Sequence, residues 1–189
     1  MFYKDDMLYF VSSNVDKFRE VKRILGKYNI DIEFRRLELL EIQSDSLEIV
    51  AKHKVNNAYS IINDEVIVED DGLFINSLNG FPGVYSSYVF KTIGNDGILK
   101  LLRDVDDRSA KFISIIAYSN GSYKLFKGIV KGSIAYDKRG YSWGYDPIFI
   151  PKGYDLTYAE LKNKDEISHR YIALNLFARW YKKNKDLML

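Results

Sequence analysis

Residues 66–75 read VIVEDDGLFI, placing three adjacent carboxylates, Glu69, Asp70 and Asp71, between two apolar runs. Val66 to Val68 and Leu73 to Ile75 are β-branched or aromatic-rich, as buried strands are. Neighbouring like charges repel, and burying one without a partner is costly. Two readings are open. Asp71-Gly72 can be the turn of a hairpin, with Glu69 and Asp70 solvated on its edge. Alternatively, apolar flanks on both faces suggest a central location. Carboxylates clustered at the end of a buried strand suit a hard divalent cation such as Mg²⁺, and one can hold a water as general base.

Outward from this stretch the pattern alternates between helix and strand. "MLYFVSSNVDKFREVKRILGKY" opens with a short apolar run and turns helical, Phe18, Val21, Leu25 and Tyr28 recurring on one face, with Ser13 or Asn14 available as cap. "DIEFRRL" alternates as a strand. A second helix is predicted over Ser44 to Asn63, with Leu47, Val50, Ala51, Val55, Ala58, Ile61 and Ile62 inward. After the carboxylates come the Gly/Pro-punctuated loop "NGFPGVYS" and a short helix in "GNDGILKLLRDV". "AKFISIIAYS" and "YKLFKGIVKGSIAY" form a hairpin around Asn120-Gly121, and "PIFI" adds a strand. A last helix starts at Ser168, with Ile172, Leu176, Phe177 and Trp180 inward. The expected fold is α/β, a mixed central sheet flanked by helices, formed by one domain over residues 1–189.

Composition excludes several classes. The net charge of +2 supplies no bulk field for nucleic acid or an anionic membrane. The longest apolar run, Phe112 to Tyr118, is too short to span a bilayer, and the N-terminal "MFYKDDMLYF" carries no signal peptide. The chain has no cysteine, so disulfides, thiolate metal sites and a cysteine nucleophile are out. With only His53 and His169, a histidine-rich zinc site is not expected, and any metal should be held by oxygen.

Three further segments carry chemistry. "SSNVDKFRE" places small polar residues before a helix with Lys17 nearby, an anion cradle or, more simply, an N-cap with a surface lysine. It is no Walker motif. "GYSWGYDP" contains a literal G-x-S-x-G from Gly140 to Gly144, which would make Ser142 a nucleophile and His169 its base. That elbow requires strand, turn, then helix, whereas Asp146-Pro147 leads into a strand. An aromatic loop fits better, Trp143 and Tyr145 offering ring faces and Asp146 an acceptor to a nucleobase. In "KNKDEISHRYIAL", Ser168 caps a helix whose first turn carries His169 and Arg170, with Lys164 just upstream. These are donors suited to a carbonyl or phosphate oxygen, or a plain surface feature.

Taken in order, "SSNVDKFREVKRIL", "EIQSD", "VEDDGLFINSLNGFPGVYS", "GYSWGYDPIFIP", "TYAEL" and "DEISHRYIAL" resemble the inosine triphosphate pyrophosphatase family over residues 8–178. The resemblance implies Mg²⁺-dependent hydrolysis of nonstandard purine triphosphates (ITP, dITP, XTP) to monophosphate and pyrophosphate. It also implies two lobes with a substrate cleft between them, a cytoplasmic location and a homodimer. By the same resemblance Ser13, Asn14 and Lys17 form the phosphate-binding segment, and Glu41 and Asp70 bind the metal. Asp70 is the general base with Glu69 beside it. Trp143 falls where relatives place a stacking Phe, followed by Gly144, Tyr145 and Asp146. Lys164, His169 and Arg170 match triphosphate and purine-oxygen contacts.

The chain departs from that pattern at Asp71, where relatives carry a substrate-touching Ser or Thr. It departs again at Ser87, where many have Lys or Arg at or next to the position, with Lys91 a candidate substitute. The span from "AEL" to "ISHR" is also slightly shorter. A nucleotide-binding sensor without turnover is the alternative these departures would favour, and a serine hydrolase using Ser142 the third reading.

Overall fold

The VIVEDDGLFI stretch does not turn. In the computed structural model, which describes residues 7–186, it is one strand, β3 (Val66–Ile75), antiparallel to β4 (Ser109–Ser119) from Val66↔Ser119 to Ile75↔Ala110. The hairpin reading fails because β4 offers a partner to every residue of the segment, so no bond is gained by turning. Gly72 serves a close approach instead. A Cβ there would lie 2.4 Å from the Gly83 carbonyl oxygen, so glycine is what lets the 79–86 loop lie on the strand. Ser86 ties that loop down, its hydroxyl donating to Gly83 O at 2.7 Å and accepting from Leu73 N–H at 2.8 Å.

Successive side chains of a strand point to opposite faces. Val66 and Val68 pack with Val55 and Ala58 of α2 (Leu47–Ile62). Ile67 instead joins the core beneath α1 (Val15–Gly26) and α6 (His169–Asp186). The alternation continues through the acidic residues. Asp70 meets Lys54 of α2, whereas Glu69 and Asp71 meet Arg170 of α6. The sheet itself therefore separates the middle charge from its two neighbours.

Among the described residues six strands form one sheet in the order β2-β1-β3-β4-β5-β6. β1 (Tyr9–Val11) lies parallel to both β2 (Glu33–Arg35) and β3, because α1 and α2 carry the chain back between them. β4, β5 (Tyr123–Ile134) and β6 (Phe149–Pro151) continue antiparallel, the β4–β5 hairpin turning at Asn120-Gly121 as expected. The mixed, helix-flanked α/β sheet is thus the observed architecture. Two short helices follow the 79–86 loop, α3 (Ser86–Thr92) and α4 (Gly94–Leu101); α3 has no counterpart among the predicted elements.

Several details differ from expectation. α2 begins at Leu47 because Ser46, not Ser44, is the cap, its Oγ accepting from Ile49 N–H at 3.3 Å. Ile61 and Leu176 face outward, 55 % and 48 % exposed, since Ile62 and Phe177 take the inward positions on their helices. Residues 1–6, on which part of the leader reading rests, lie outside the described residues. Among those described, no helix is long and apolar enough to cross a membrane.

Gly128 of β5 fixes where α6 starts. A Cβ there would lie 2.0 Å from His169 O and 2.7 Å from Ala173 N, both rigid helix backbone. Gly128→Ala is expected to push the first turn of α6 off the sheet and cost about 2–3 kcal/mol, by analogy with overpacked cores. Urea unfolding checks this, an unchanged midpoint being the contrary outcome.

Candidate active site

The first turn of α6 delivers Arg170 into a nest of acids. Its guanidinium is fully buried; Nε donates to both Glu69 carboxylate oxygens at 2.9 Å, Nη1 to Glu20 Oε2, and Nη2 to Asp71 Oδ2 at 3.3 Å. Ser114 of β4 adds a hydroxyl donor to Glu69 at 2.7 Å. Lys17 of α1 donates to Asp71 and lies 3.8 Å from Glu69. Lys164, from the short α5 (Lys164–Ile167), donates to Glu20 at 2.9 Å and to Asp146. Burial acts to raise the Glu20 carboxyl, but Arg170 and then Lys164 bring it down to about 2. Burial likewise opposes ionisation of Asp71, yet Lys17 foremost, with His169 and Arg170, holds it well below the carboxylate range.

The aromatic loop divides in its role. Trp143 Nε1 donates to Glu20 at 3.0 Å, and its ring carries Lys164 Nζ at 5.4 Å and the Arg170 guanidinium at 5.2 Å from the centroid. Tyr145 is not a platform for a base. It is buried, its hydroxyl donates to Ser86 O at 2.9 Å, and its ring meets Phe90 edge-on at 5.3 Å. Gly144 supplies the bend between them, with φ +65°, and its carbonyl accepts from Asn95 of α4 at 3.0 Å. His169 stacks on Phe112 with centroids 4.4 Å apart, and Nε2 lies 3.9 Å from Asp71 Oδ2. Burial lowers the His169 pKa, although Asp71 works against it.

The serine-hydrolase reading fails on geometry. Ser142 Oγ donates to Asp146 Oδ2 at 2.7 Å, while neither ring nitrogen of His169 has a hydrogen-bond partner, so no nucleophile–base pair forms. The cradle reading of Asn14 also changes. Its Oδ1 caps α1, accepting from the amides of Asp16 at 2.9 Å and Lys17 at 3.1 Å, so two of the expected anion donors are already engaged.

On the opposite face of β3, Lys54 Nζ lies 3.4 Å from Asp70 Oδ1 and donates to Glu41 Oε1 at 2.8 Å. Asp70 Oδ2 is buried with no hydrogen-bond partner. Burial raises the Asp70 pKa from 3.8 to about 6, outweighing the attraction of Lys54 and Lys17. Burial also works to raise Glu41, but Lys54, then Lys17 and Lys91, bring it below its ordinary value. Glu41 and Lys54 border a cavity of about 560 Å³ whose lining also includes Ser12, Ser13, Glu69, Ser87 and Lys91. Among the described residues no cluster of three or more acidic or histidine side chains could cage a metal. A pair of carboxylates, one oxygen of which is buried without a partner, still fits Mg²⁺, which keeps several waters and is completed by substrate phosphates.

The chain matches the Ham1 family over residues 8–180. It belongs to that family. A relative from Methanopyrus kandleri named dITP/XTP pyrophosphatase is 50% identical over 180 residues, covering 93% of this chain and 96% of its own. One of the same name from Pyrococcus horikoshii is 45% identical, with 94% and 97% covered. Among solved structures, a HAM1 protein from Coxiella burnetii superposes with a TM-score of 0.80 at 29% identity, covering 94% of this chain and all of the other. The Staphylococcus aureus Ham1 protein gives 0.76 at 30% identity, with 93% and 99% covered.

In this Ham1-family chain the fold brings Lys17, Glu69, Asp71, Trp143, Asp146, Lys164, His169 and Arg170 together on one side of β3, and Ser13, Glu41 and Asp70 together on the other. Strand alternation commits the Glu69 carboxylate to Arg170, although Glu69 also lines the cavity that Glu41 and Lys54 border. Two residues at the centre of these networks escaped sequence reading, Glu20 and Lys54. Both had a legible signal. Glu20 lies four residues before Ile24 on the apolar stripe of α1, and Lys54 lies four after Val50 and four before Ala58 on that of α2. A charge on a buried stripe implies a buried partner.

Proposed function

We propose that this Ham1-family protein is a nucleoside-triphosphate pyrophosphatase that hydrolyses nonstandard purine triphosphates, dITP and XTP among them, to the monophosphate and pyrophosphate. The observation that carries this reading is Asp70 Oδ2, buried and without a protein partner beside Lys54 and Glu41, free to face a water or a cation. In the proposed reaction a water oxygen attacks the α-phosphorus, its proton passes to Asp70 Oδ2, and the α–β anhydride bond breaks with its electrons leaving on pyrophosphate. Asp70 and Glu41 would hold Mg²⁺; when bound, that ion supplies neutralisation of phosphate charge. Lys54, already bridging these two carboxylates, keeps them together when no cation is bound.

Base selection is assigned to the opposite face. Trp143 stacks on the purine, while Arg170 and Lys164, held at its ring by Glu20 and Asp146, present donors to the 6-oxo group of hypoxanthine or xanthine. Adenine places an amino donor at that position, which would face these cations donor to donor. A homodimer and a cytoplasmic location belong to the same proposal and rest on the resemblance. Product identity tests the reaction class. ³¹P spectra of an XTP digest should show monophosphate and pyrophosphate in equal amounts. Diphosphate with orthophosphate would place the cut at the wrong anhydride, and XTP bound without turnover would mean a sensor.

A further inference from the structure

We propose that Lys91 is a phosphate-binding residue of this site, a cation that α3 delivers to the triphosphate end of the cavity from one helical turn beyond Ser87. The inference rests on the pyrophosphatase reading and names a contact within it.

Its first support is placement. Positions 87 and 91 are four residues apart and so share one face of α3. Both line the cavity of about 560 Å³ together with Ser12, Ser13, Glu41 and Lys54. The helix that carries them is firmly seated. Ser86 bonds to Leu73 N–H and Gly83 O, its carbonyl takes the Tyr145 hydroxyl, and Val89 is buried in the core, 5 % exposed. With residues 86 and 89 pinned inward, 87 and 91 are held outward, over the cavity.

The second support is charge. Lys54 is committed to Glu41 and Asp70, and Lys17 to Asp71 and Glu69. Lys91 forms no ion pair with any described residue, yet its charge is felt by Glu41 across the cavity. Lys91 is exposed at the cavity wall and bonded to no carboxylate there, so its ammonium is available to an approaching phosphate oxygen. The flexible four-carbon stem and compact ammonium suit a phosphate oxygen whose position varies along the reaction. Ser87 can offer only a neutral hydroxyl from the same face.

The test uses the whole chain, XTP with Mg²⁺, and inorganic pyrophosphate as an inhibitor. In Lys91→Met, KM for XTP and the inhibition constant for pyrophosphate should each rise about tenfold, with kcat changed by less than about twofold, as loss of a charge-assisted contact made alike in ground and transition states requires. Adding Ser87→Lys to Lys91→Met should restore both constants, since it returns a cation to the same helix face. Unchanged KM and pyrophosphate inhibition in Lys91→Met would overturn the assignment. If wild type itself releases no pyrophosphate, the pyrophosphatase reading fails separately. Calorimetric binding of pyrophosphate to wild type and Lys91→Met then decides on Lys91, equal affinities refuting it and a weaker variant supporting it.

Discussion

Asp70→Asn is expected to lower pyrophosphate release about 10³-fold and at the same time to make the metal-free protein more stable at pH 8. The two effects share one cause, the burial of a carboxylate whose Oδ2 has no protein partner. Burial raises its pKa in the fold from 3.8 to about 6. A carboxyl shifted upward contributes stability that is complete below its unfolded value, near 3.8, and is lost as pH rises through about 6. Wild type at pH 8 carries the whole of that loss, about 3 kcal/mol for a rise of this size, and Asn carries none. That figure already includes the attraction of Lys54 and Lys17, but the Asn amide is left buried without a partner of its own, so a net stabilisation of about 1–2 kcal/mol is expected. Thermal unfolding with EDTA should show the variant melting a few degrees above wild type at pH 8, the gap closing by pH 4. A variant that melts lower at pH 8 would mean that Asp70 is not strained by its burial. Turnover of wild type should fall toward acid pH, because a protonated Asp70 can neither hold Mg²⁺ nor accept the proton of the attacking water. With the cation bound, that fall lies below the metal-free value of about 6.

Arg170→Met acts in the opposite sense on stability. It leaves Glu69, Glu20 and Asp71 buried without their shared cation, and a loss of about 3–5 kcal/mol is expected. Arg170→Lys should recover little, since an ammonium cannot span Glu69, Glu20 and Asp71 as the fork does. Urea unfolding of Arg170→Met, Glu69→Gln and the double variant separates this from lost packing. The double variant should be less destabilised than the sum of the singles, because a neutral amide at position 69 would need no counter-charge. Strict additivity would show that Arg170 matters only for its volume. The acid limb of stability should change as well. The Glu20 carboxyl is brought from 4.5 down to about 2, so its contribution is present above pH 4.5 and lost as pH falls through about 2. Without Arg170, most of that contribution disappears and the variant should lose its pH dependence in this range.

The architecture was legible because its signals are local. Periodicity gave α1, α2 and α6, Asn120-Gly121 marked the β4–β5 hairpin, and helices between the early strands implied the parallel half of the sheet. What could not be read was the VIVEDDGLFI stretch, because the decision between turn and strand lies in β4, some forty residues later, and in the Gly83 carbonyl that Gly72 accommodates. The same limit applies to the site. Candidate residues could be named one by one, but strand alternation acts on their partners. Glu69 and Asp70, adjacent in the chain, are assigned to different networks by the sheet between them. Tyr145 read as a second ring face beside Trp143, while its ring is buried and its hydroxyl donates to Ser86 O. Glu20 and Lys54 were legible in principle, as charges on apolar stripes, and the networks they organise were not.

The most direct measurement is steady-state pyrophosphate release by the wild-type protein from dITP, XTP, GTP and ATP, each with Mg²⁺ and with EDTA. Expected is release from dITP and XTP that requires the metal and exceeds that from ATP by about 10²-fold or more in kcat/KM. Equal rates for ATP and XTP, or release that persists in EDTA, would contradict both the base-reading role of Arg170 and Lys164 and the metal-holding role of Glu41 and Asp70.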